Sequence, residues 1–527
     1  MRSPVPVAAV AVSVLLLAGC SEVGHEGRRP VDGPTKGAAG APLGDFNGDG
    51  YDDFATAIRP TSASRGPLPA RLAVVYGGAH GLDPRHRLVV DGAEDDYVGP
   101  LLRTDLDRDG FTDLVTARFR HRHGSPPRAE RTGETVVLRG GPRGLAAPRP
   151  LGGGAAGLLA LAVGDFDGDG AADLLASAAD DWGDGWDDGR GDRRGGRGVG
   201  RSAVRVLYGP FGAKAHPART APLPTGPTER PRRGAPATAT AGDFNGDHRT
   251  DVVLTYRYGL GQADQPELGD TAPLDTPVAH YRGGPRGLVR DKRPEARLAH
   301  ALGTEDGPRE PAAGDADHDG VDDLLAPGQG TLGPGRHRGS GRLTVVHGAK
   351  SGLGRGRADL TVDQSAPGMP GDARRGDGFG GSPAVGDITG DGRPDLVVAT
   401  PEKNNGNGRL TLLPGSRHGR GGEYAPDPAK SPYRGHGGEH RGEQSLDLDT
   451  PGVPGRHTPY GFDAFAPQPP LLDVDGDGHE DVVAAAPGYG RGRTGGFWIF
   501  RGTDRGLSTR DVRRFTPADL GIRFRAG

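Results

Sequence analysis

Seven short segments of this 527-residue chain carry acids at a spacing that builds a metal cage. Each follows the pattern D-x-[DNT]-x-D-x-x-x-D. Their candidate ligands are Asp45, Asn47, Asp49 and Asp53; Asp105, Asp107, Asp109 and Asp113; Asp165, Asp167, Asp169 and Asp173; Asp243, Asn245, Asp247 and Asp251; Asp315, Asp317, Asp319 and Asp323; Asp387, Asp391 and Asp395; and Asp473, Asp475, Asp477 and Asp481. Side chains at the first, third, fifth and ninth positions converge several oxygens, and the seventh position can add its backbone carbonyl. Glycine at the sixth position permits the tight turn. A donor set made of oxygen alone suits Ca²⁺, and no histidine or cysteine stands at the ligand positions to favour zinc. Up to seven such ions would be structural, because clustered carboxylates repel one another without them. An EF-hand does not fit. Its glutamate at position 12 is replaced by Thr56, Thr116 and Ala176 in the first three copies. His248 stands in place of the sixth-position glycine in the fourth copy, and Thr389 in place of an acid in the sixth. Those two sites are expected to be weak or empty.

These cages need a frame. The copies begin 60, 60, 78, 72, 72 and 86 residues apart. A short apolar run follows each one (54–58, 114–117, 174–178, 252–255, 324–326, 396–400 and 482–486). A second run follows at a variable distance, as at 72–76, 135–138, 204–208, 343–347 and 497–500, and then usually a turn ending in Gly-Leu. A weaker third run lies at 87–90 or 359–362. Short β-rich runs bounded by Gly, Asp and Pro read as strands, and four strands per repeating unit read as a propeller blade. Glycine and proline together make up 27% of the chain, with 33% hydrophobic residues. That composition leaves no room for a helical bundle, and only the period argues for a folded chain. The expectation is an all-β, seven-bladed β-propeller of four-stranded antiparallel blades over residues 41–520. Small residues before each loop, as at 161–164 and 384–386, suit tight packing near the axis.

At this point the chain resembles the FG-GAP repeat family, found in integrin α-subunit propellers and bacterial surface proteins. The resemblance places the nine-residue calcium loop between the first and second strands of each blade. Phe379-Gly380 and Tyr460-Gly461 fill the first family landmark, and Ala326-Pro327 and Ala486-Pro487 echo the second.

The single cysteine, Cys20, excludes an intramolecular disulfide framework. Arg2, the apolar stretch 5–17 and Leu17-Ala18-Gly19-Cys20 resemble a bacterial lipobox, since the apolar run is short for a membrane span. Residues 1–19 then read as a lipoprotein signal peptide, Cys20 as the lipidated residue and 20–40 as a tether. The expected protein is extracytoplasmic and monomeric, and meets the membrane only through its lipid. Formal net charge is −4, but the 25 loop carboxylates conceal a charge of +21 on the remainder. Seven bound calcium ions would bring the chain to about +10. An extracellular protein or an anionic cell-wall polymer is the expected partner, with no specific nucleic acid. Calcium loops and Gly-Leu turns fall on one face. The connections that vary (180–201, 257–277, 363–381 and 421–459) fall on the other, and suggest recognition there. Trp182 and Trp186 in the first of these are candidate anchors for a sugar or protein.

No catalytic residues are assigned, and a binding or adhesion module rather than an enzyme is expected. The alternatives are a polysaccharide-degrading propeller, for which Tyr460, His457 and His280 are nominal candidates, and a purely structural envelope protein. Arg190-Gly191-Asp192 and Arg375-Gly376-Asp377 match an adhesion tripeptide at about the frequency chance allows. His436, Glu439 and His440 spell a zincin-like motif, but Gly437 and Gly438 interrupt the helix it needs.

Overall fold

In the computed structural model, residues 44–522 are described, apart from 60, 63–65, 68, 91–94, 121–131, 179–203, 224–235, 257–277, 303–309, 329–338, 367–368, 416–442, 459–461 and 491–492. Apart from a small two-stranded hairpin, Thr61–Ser62 with Gly66–Pro67, the strands sort into seven antiparallel sheets that follow one another along the chain. Blade 3 shows the pattern. Leu158–Gly164 is innermost, followed outward by Asp173–Ala178, Arg205–Tyr208 and Arg219–Pro222. Blades 4 to 7 repeat it, with inner strands Pro236–Gly242, Ala312–Gly314, Gly381–Gly386 and Leu471–Leu472. Blade 1 shows three described strands, Phe54–Ile58, Arg71–Val75 and Arg87–Val90. In blade 2 the long second strand Asp113–Arg120 pairs with both Leu102–Thr104 and an additional strand, Asp95–Tyr97. This is the seven-bladed β-propeller read from the repeat.

The second strands are buried along nearly their whole length, only Arg120 and Ala178 emerging at their ends, since both faces of each blade pack against neighbours. Near the axis the blades approach closely. A Cβ on Gly164 would lie 2.4 Å from Thr250 of the next blade, and one on Gly242 2.9 Å from the Ala313 Cβ. An aromatic just before the inner strand locks neighbouring blades on the outer side of this contact. Tyr97 N–H donates to Ala70, Phe379 N–H to Ser340 and Phe465 N–H to Asn407, each on the preceding blade, and all three rings are buried. In blade 7 the Phe-Gly landmark is therefore Phe465-Ala466. The Tyr460-Gly461 pair chosen from the sequence lies outside the described residues. Each of these aromatics follows a buried aspartate two residues earlier or one. Asp96 pairs with Arg59 at 2.8 Å, Asp377 with Lys403 at 2.6 Å and Asp463 with His457 at 3.0 Å.

Among the described residues no strand is exchanged to close the ring. Instead, Asp52 N–H donates to the Asp473 carbonyl at 3.0 Å, and Asp473 N–H returns a bond to Asp52 Oδ2 at 3.0 Å. Phe54 meets Phe497 edge-on at 5.4 Å across the same seam. The C-terminal segment completes it: Leu520 and Ile522 are buried, and Arg87 Nε donates to the Leu520 carbonyl. One helix was not anticipated, Glu295–Leu302, which covers the blade 4 to blade 5 junction through Leu298, Ala301 and Leu302. No helix among the described residues is long and apolar enough to cross a membrane.

Candidate metal centres

In blades 2 to 7 the Asp loop joins the first and second strands, in blade 1 it leads into Phe54–Ile58, and all seven loops adopt one conformation. The fifth- and sixth-position N–H groups donate to the first-position carboxylate in every copy, at 2.7 to 3.3 Å. The seventh-position N–H donates to the fifth-position carboxylate. The backbone turns through the left-handed region at both the fourth and sixth positions. Arg108, His318 and His248 accept this conformation, at φ 62°, 59° and 60°, where the other copies use glycine. Substitution of glycine by His248 therefore leaves the fourth loop's shape intact. The second position carries a buried apolar plug, such as Phe46, Phe166 or Phe244.

The ninth aspartate has a second task that its spacing does not reveal. In all seven blades its Oδ1 accepts a hydrogen bond from the glycine that ends the third strand: Gly77, Gly140, Gly209, Gly283, Gly348, Gly415 and Gly502, at 2.8 or 2.9 Å. Each glycine lies against the backbone of the loop, where a side chain has no room. On Gly140 a Cβ would stand 2.2 Å from the Thr112 carbonyl. Backbone bonds also join neighbouring loops at four of the seven junctions, and Pro394, at the eighth position of the sixth loop, has no N–H to donate. Eighth-position N–H groups of Asp52, Thr250, Asp322 and Glu480 donate to the first-position carbonyl of the preceding blade's loop. A cation in one loop therefore acts on the blade that follows it.

The third position divides the loops into two sets. Where it is Asp107, Asp167, Asp317 or Asp475, Oδ1 is buried without a hydrogen-bond partner, while Oδ2 meets an arginine from the third strand or beyond. Those arginines are Arg139 at 3.1 Å, Arg219 at 3.2 Å, Arg357 and, at 2.9 Å, Arg501. The same four loops bring three carboxylates together closely enough to share an ion. A buried carboxylate oxygen with no donor is costly, and a hard cation at that point satisfies it. An oxygen-only set for calcium fits the second, third and seventh of these cages. In the first and fourth loops Asn47 and Asn245 turn their amide nitrogens onto Asp49 and Asp251 at 2.9 Å, and in the sixth Thr389 N–H bonds Asp395. Those three cages are internally satisfied, so the first loop joins the two whose sequences already departed from the pattern.

Burial dominates the acidity of the ninth position. It pushes Asp113, Asp323 and Asp395 up to about 6, Asp173 and Asp251 to about 7 and Asp481 to about 8, against backbone hydrogen bonds that pull the other way. The fifth cage holds a residue missed by reading nine positions at a time. His347, one residue before Gly348, places Nδ1 at 3.3 Å from both Asp317 and Asp323. The signal was its fixed place before the strand-ending glycine, which Tyr76, Arg139, Tyr208, Arg282, Pro414 and Arg501 fill elsewhere.

Other candidates fare differently. Cys20, Trp182, Trp186 and Tyr460 lie outside the described residues. His280 is buried beside Phe244, and burial lowers its pKa to about 4. His457 is committed to buried Asp463. Asp377 of the second Arg-Gly-Asp triplet is buried against Lys403 and is not displayed. Part of the basic excess is paired with the cages, because four arginines contact their carboxylates. One groove of about 440 Å³ lies at the blade 7 to blade 1 seam, between His80, Arg85, Arg513 and Arg514.

Comparison with known proteins matches the geometry. The FG-GAP repeat model matches residues 379–413 and 465–500, beginning on the two interlocking phenylalanines, and an FG-GAP-like repeat model matches 105–176. Phosphatidylinositol-glycan-specific phospholipase D of Rattus norvegicus is 34% identical over 113 residues, which are 21% of this chain and 13% of that protein.

Proposed function

We propose that this chain, an FG-GAP-repeat β-propeller, is a calcium-loaded binding module. In this reading a lipid on Cys20 holds it outside the cytoplasm. The connections opposite its metal loops meet an extracellular protein or an anionic cell-wall polymer. The observation that carries the reading is the contrast between the two faces. On one face seven nine-residue loops share one conformation. On the other, connections range from the short link between Asp395–Ala399 and Leu410–Leu413 to the long ones between Asp173–Ala178 and Arg205–Tyr208. A scaffold held constant on one side and varied on the other suits recognition on the varied side.

Calcium's role is to stabilise: it bridges the carboxylates of the second, third and seventh loops, replaces the arginine contacts and stiffens the loops against their neighbouring blades. Phosphatidylinositol-glycan-specific phospholipase D is named for a hydrolytic reaction, but this chain matches 13% of it. We assign the shared stretch to the propeller and not to that reaction. The test is retention of the calcium-loaded full chain on insoluble cell-wall material and on envelope protein. Retention is expected in calcium, with release by chelator and weakening of about tenfold in a Trp182→Ala/Trp186→Ala variant. Absence of retention in calcium would overturn the reading. For the anchor, Cys20→Ser is expected to move the protein from the membrane fraction to the soluble one.

A further inference from the structure

We propose that the fifth loop is a mixed-ligand centre that takes a first-row transition dication of the zinc class, held by Asp317, Asp323 and His347. The inference rests on reading the Asp loops as cation cages and deepens it at one site. The side chains of Asp317, Asp323 and His347 are exposed by only 1%, 1% and 6%. His347 Nδ1 stands 3.3 Å from Asp317 Oδ2 and from Asp323 Oδ1, yet it makes no aligned hydrogen bond, and Asp317 Oδ1 also has no partner. His347 Nδ1 and Asp317 Oδ1 are thus two buried polar atoms without a hydrogen-bond partner on residues of one tight cluster. All three ligand atoms lie within 4.8 Å of one another.

The histidine is held there by the backbone. It immediately precedes Gly348, whose N–H is fixed on Asp323 Oδ1 at 2.8 Å, and a Cβ on Gly348 would lie 2.1 Å from the Asp322 carbonyl. The register of the third strand therefore fixes where the imidazole enters. Among the seven blades, the residue at this place is histidine only in the fifth; none of the tyrosines, arginines or the proline elsewhere is a comparable nitrogen ligand. Calcium prefers oxygen, whereas one imidazole with two carboxylates suits zinc, cobalt or manganese. Three fixed ligands leave a position for water at the rim. Arg357 occupies that rim, pairing with Asp317 through a side chain that is 43% exposed. Its guanidinium is the internal competitor for the metal.

The test titrates the full chain with Co²⁺ in excess Ca²⁺, follows the visible absorption of the bound ion and then displaces it with Zn²⁺. We expect one equivalent of Co²⁺, displaced by Zn²⁺, with affinity at least about tenfold weaker in His347→Gln while calcium binding and the far-ultraviolet spectrum persist. Should His347→Gln lose its fold, Arg357→Gln carries the test, and cobalt affinity rises about tenfold without the competing guanidinium. Unchanged cobalt affinity in either folded variant would overturn the site, leaving His347 as a counter-charge for two aspartates or the cobalt on other histidines. A chain that binds calcium but shows no cobalt band retires this proposal alone. A chain that binds neither retires the cage reading as well.

Discussion

The seven glycines that end the third strands make the strongest mechanical claim, and Gly140 with Gly141 supplies a matched pair. In Gly140→Ala the new Cβ would stand 2.2 Å from the Thr112 carbonyl, 2.9 Å from Phe111 Cβ and 3.0 Å from the Phe46 carbonyl. Two of these three are backbone atoms, so relief requires the third strand and the loop to separate by about 1 Å. Separation also draws the Gly140 N–H off Asp113 Oδ1, now at 2.8 Å, on a carboxylate that additionally holds Leu106 and Arg139. Overpacking costs about 1–3 kcal/mol, and a hydrogen bond to a charged group is worth about 1.5–3 kcal/mol. Together they predict about 3–5 kcal/mol. In a ring of this size unfolding as a unit, each kcal/mol moves Tm by about 1 °C, so the expected loss is about 3–5 °C. Gly141 has no neighbour within 4 Å of its Cβ position, and its N–H bond to Phe46 survives substitution. Gly141→Ala is expected to melt within about 1 °C of the parent. Circular dichroism melts of both variants in calcium decide the matter. Equal melting of Gly140→Ala and the parent, or equal damage from both alanines, would refute the clamp.

Three further outcomes follow from the cages. His248→Gly relieves a non-glycine residue at φ 60° and is expected to stabilise by about 1 kcal/mol in urea denaturation; destabilisation would count against the shared loop conformation. Without calcium, the ninth-position aspartates bind protons more tightly folded than unfolded. Their stabilising contribution is complete below about pH 4 and is lost as pH rises through 6 to 8. In chelator, Tm should therefore fall between pH 5 and 8.5, and saturating calcium, which binds the ionised forms, should flatten or reverse the trend; a chelator profile that rises with pH contradicts this. Arg139→Gln removes the cation that touches Asp107 and Asp113, so it should lower Tm in chelator while tightening calcium binding at the second loop. Isothermal titration beside the parent reads both the number and the affinity of sites.

The propeller was legible because its second strands are short, apolar and tied to an invariant acidic pattern. Phe54–Ile58 and Asp173–Ala178 lie where the runs after Asp45 and Asp165 placed them. The inner strands were harder to see. Gly381–Gly386 is made of small residues chosen for close approach and not for β propensity. The helix Glu295–Leu302 escaped notice because a glycine-rich composition argues against long helices, while eight residues of EARLAHAL need only one apolar edge. Cage chemistry was partly legible. Positions within nine residues identified the acids, but the clamp from Gly140 to Asp113 spans 27 residues and Arg139 arrives with it. His347 enters the fifth cage by the same route, and so the oxygen-only donor set holds within each loop but not within every cage. The Tyr460-Gly461 landmark was misplaced because spacing varies before the inner strand, whereas the Phe465 contact with Asn407 is fixed by packing.

The most direct test of the account is the thermal melt of the full chain in millimolar calcium and then in excess chelator, with calcium restored at the end. The second, third and seventh cages, with unpartnered buried carboxylate oxygens in loops bonded to neighbouring blades, predict a large fall in Tm that calcium reverses. Superimposable melts would mean that the arginines alone satisfy these loops, and the Asp repeats would then be turns rather than metal sites.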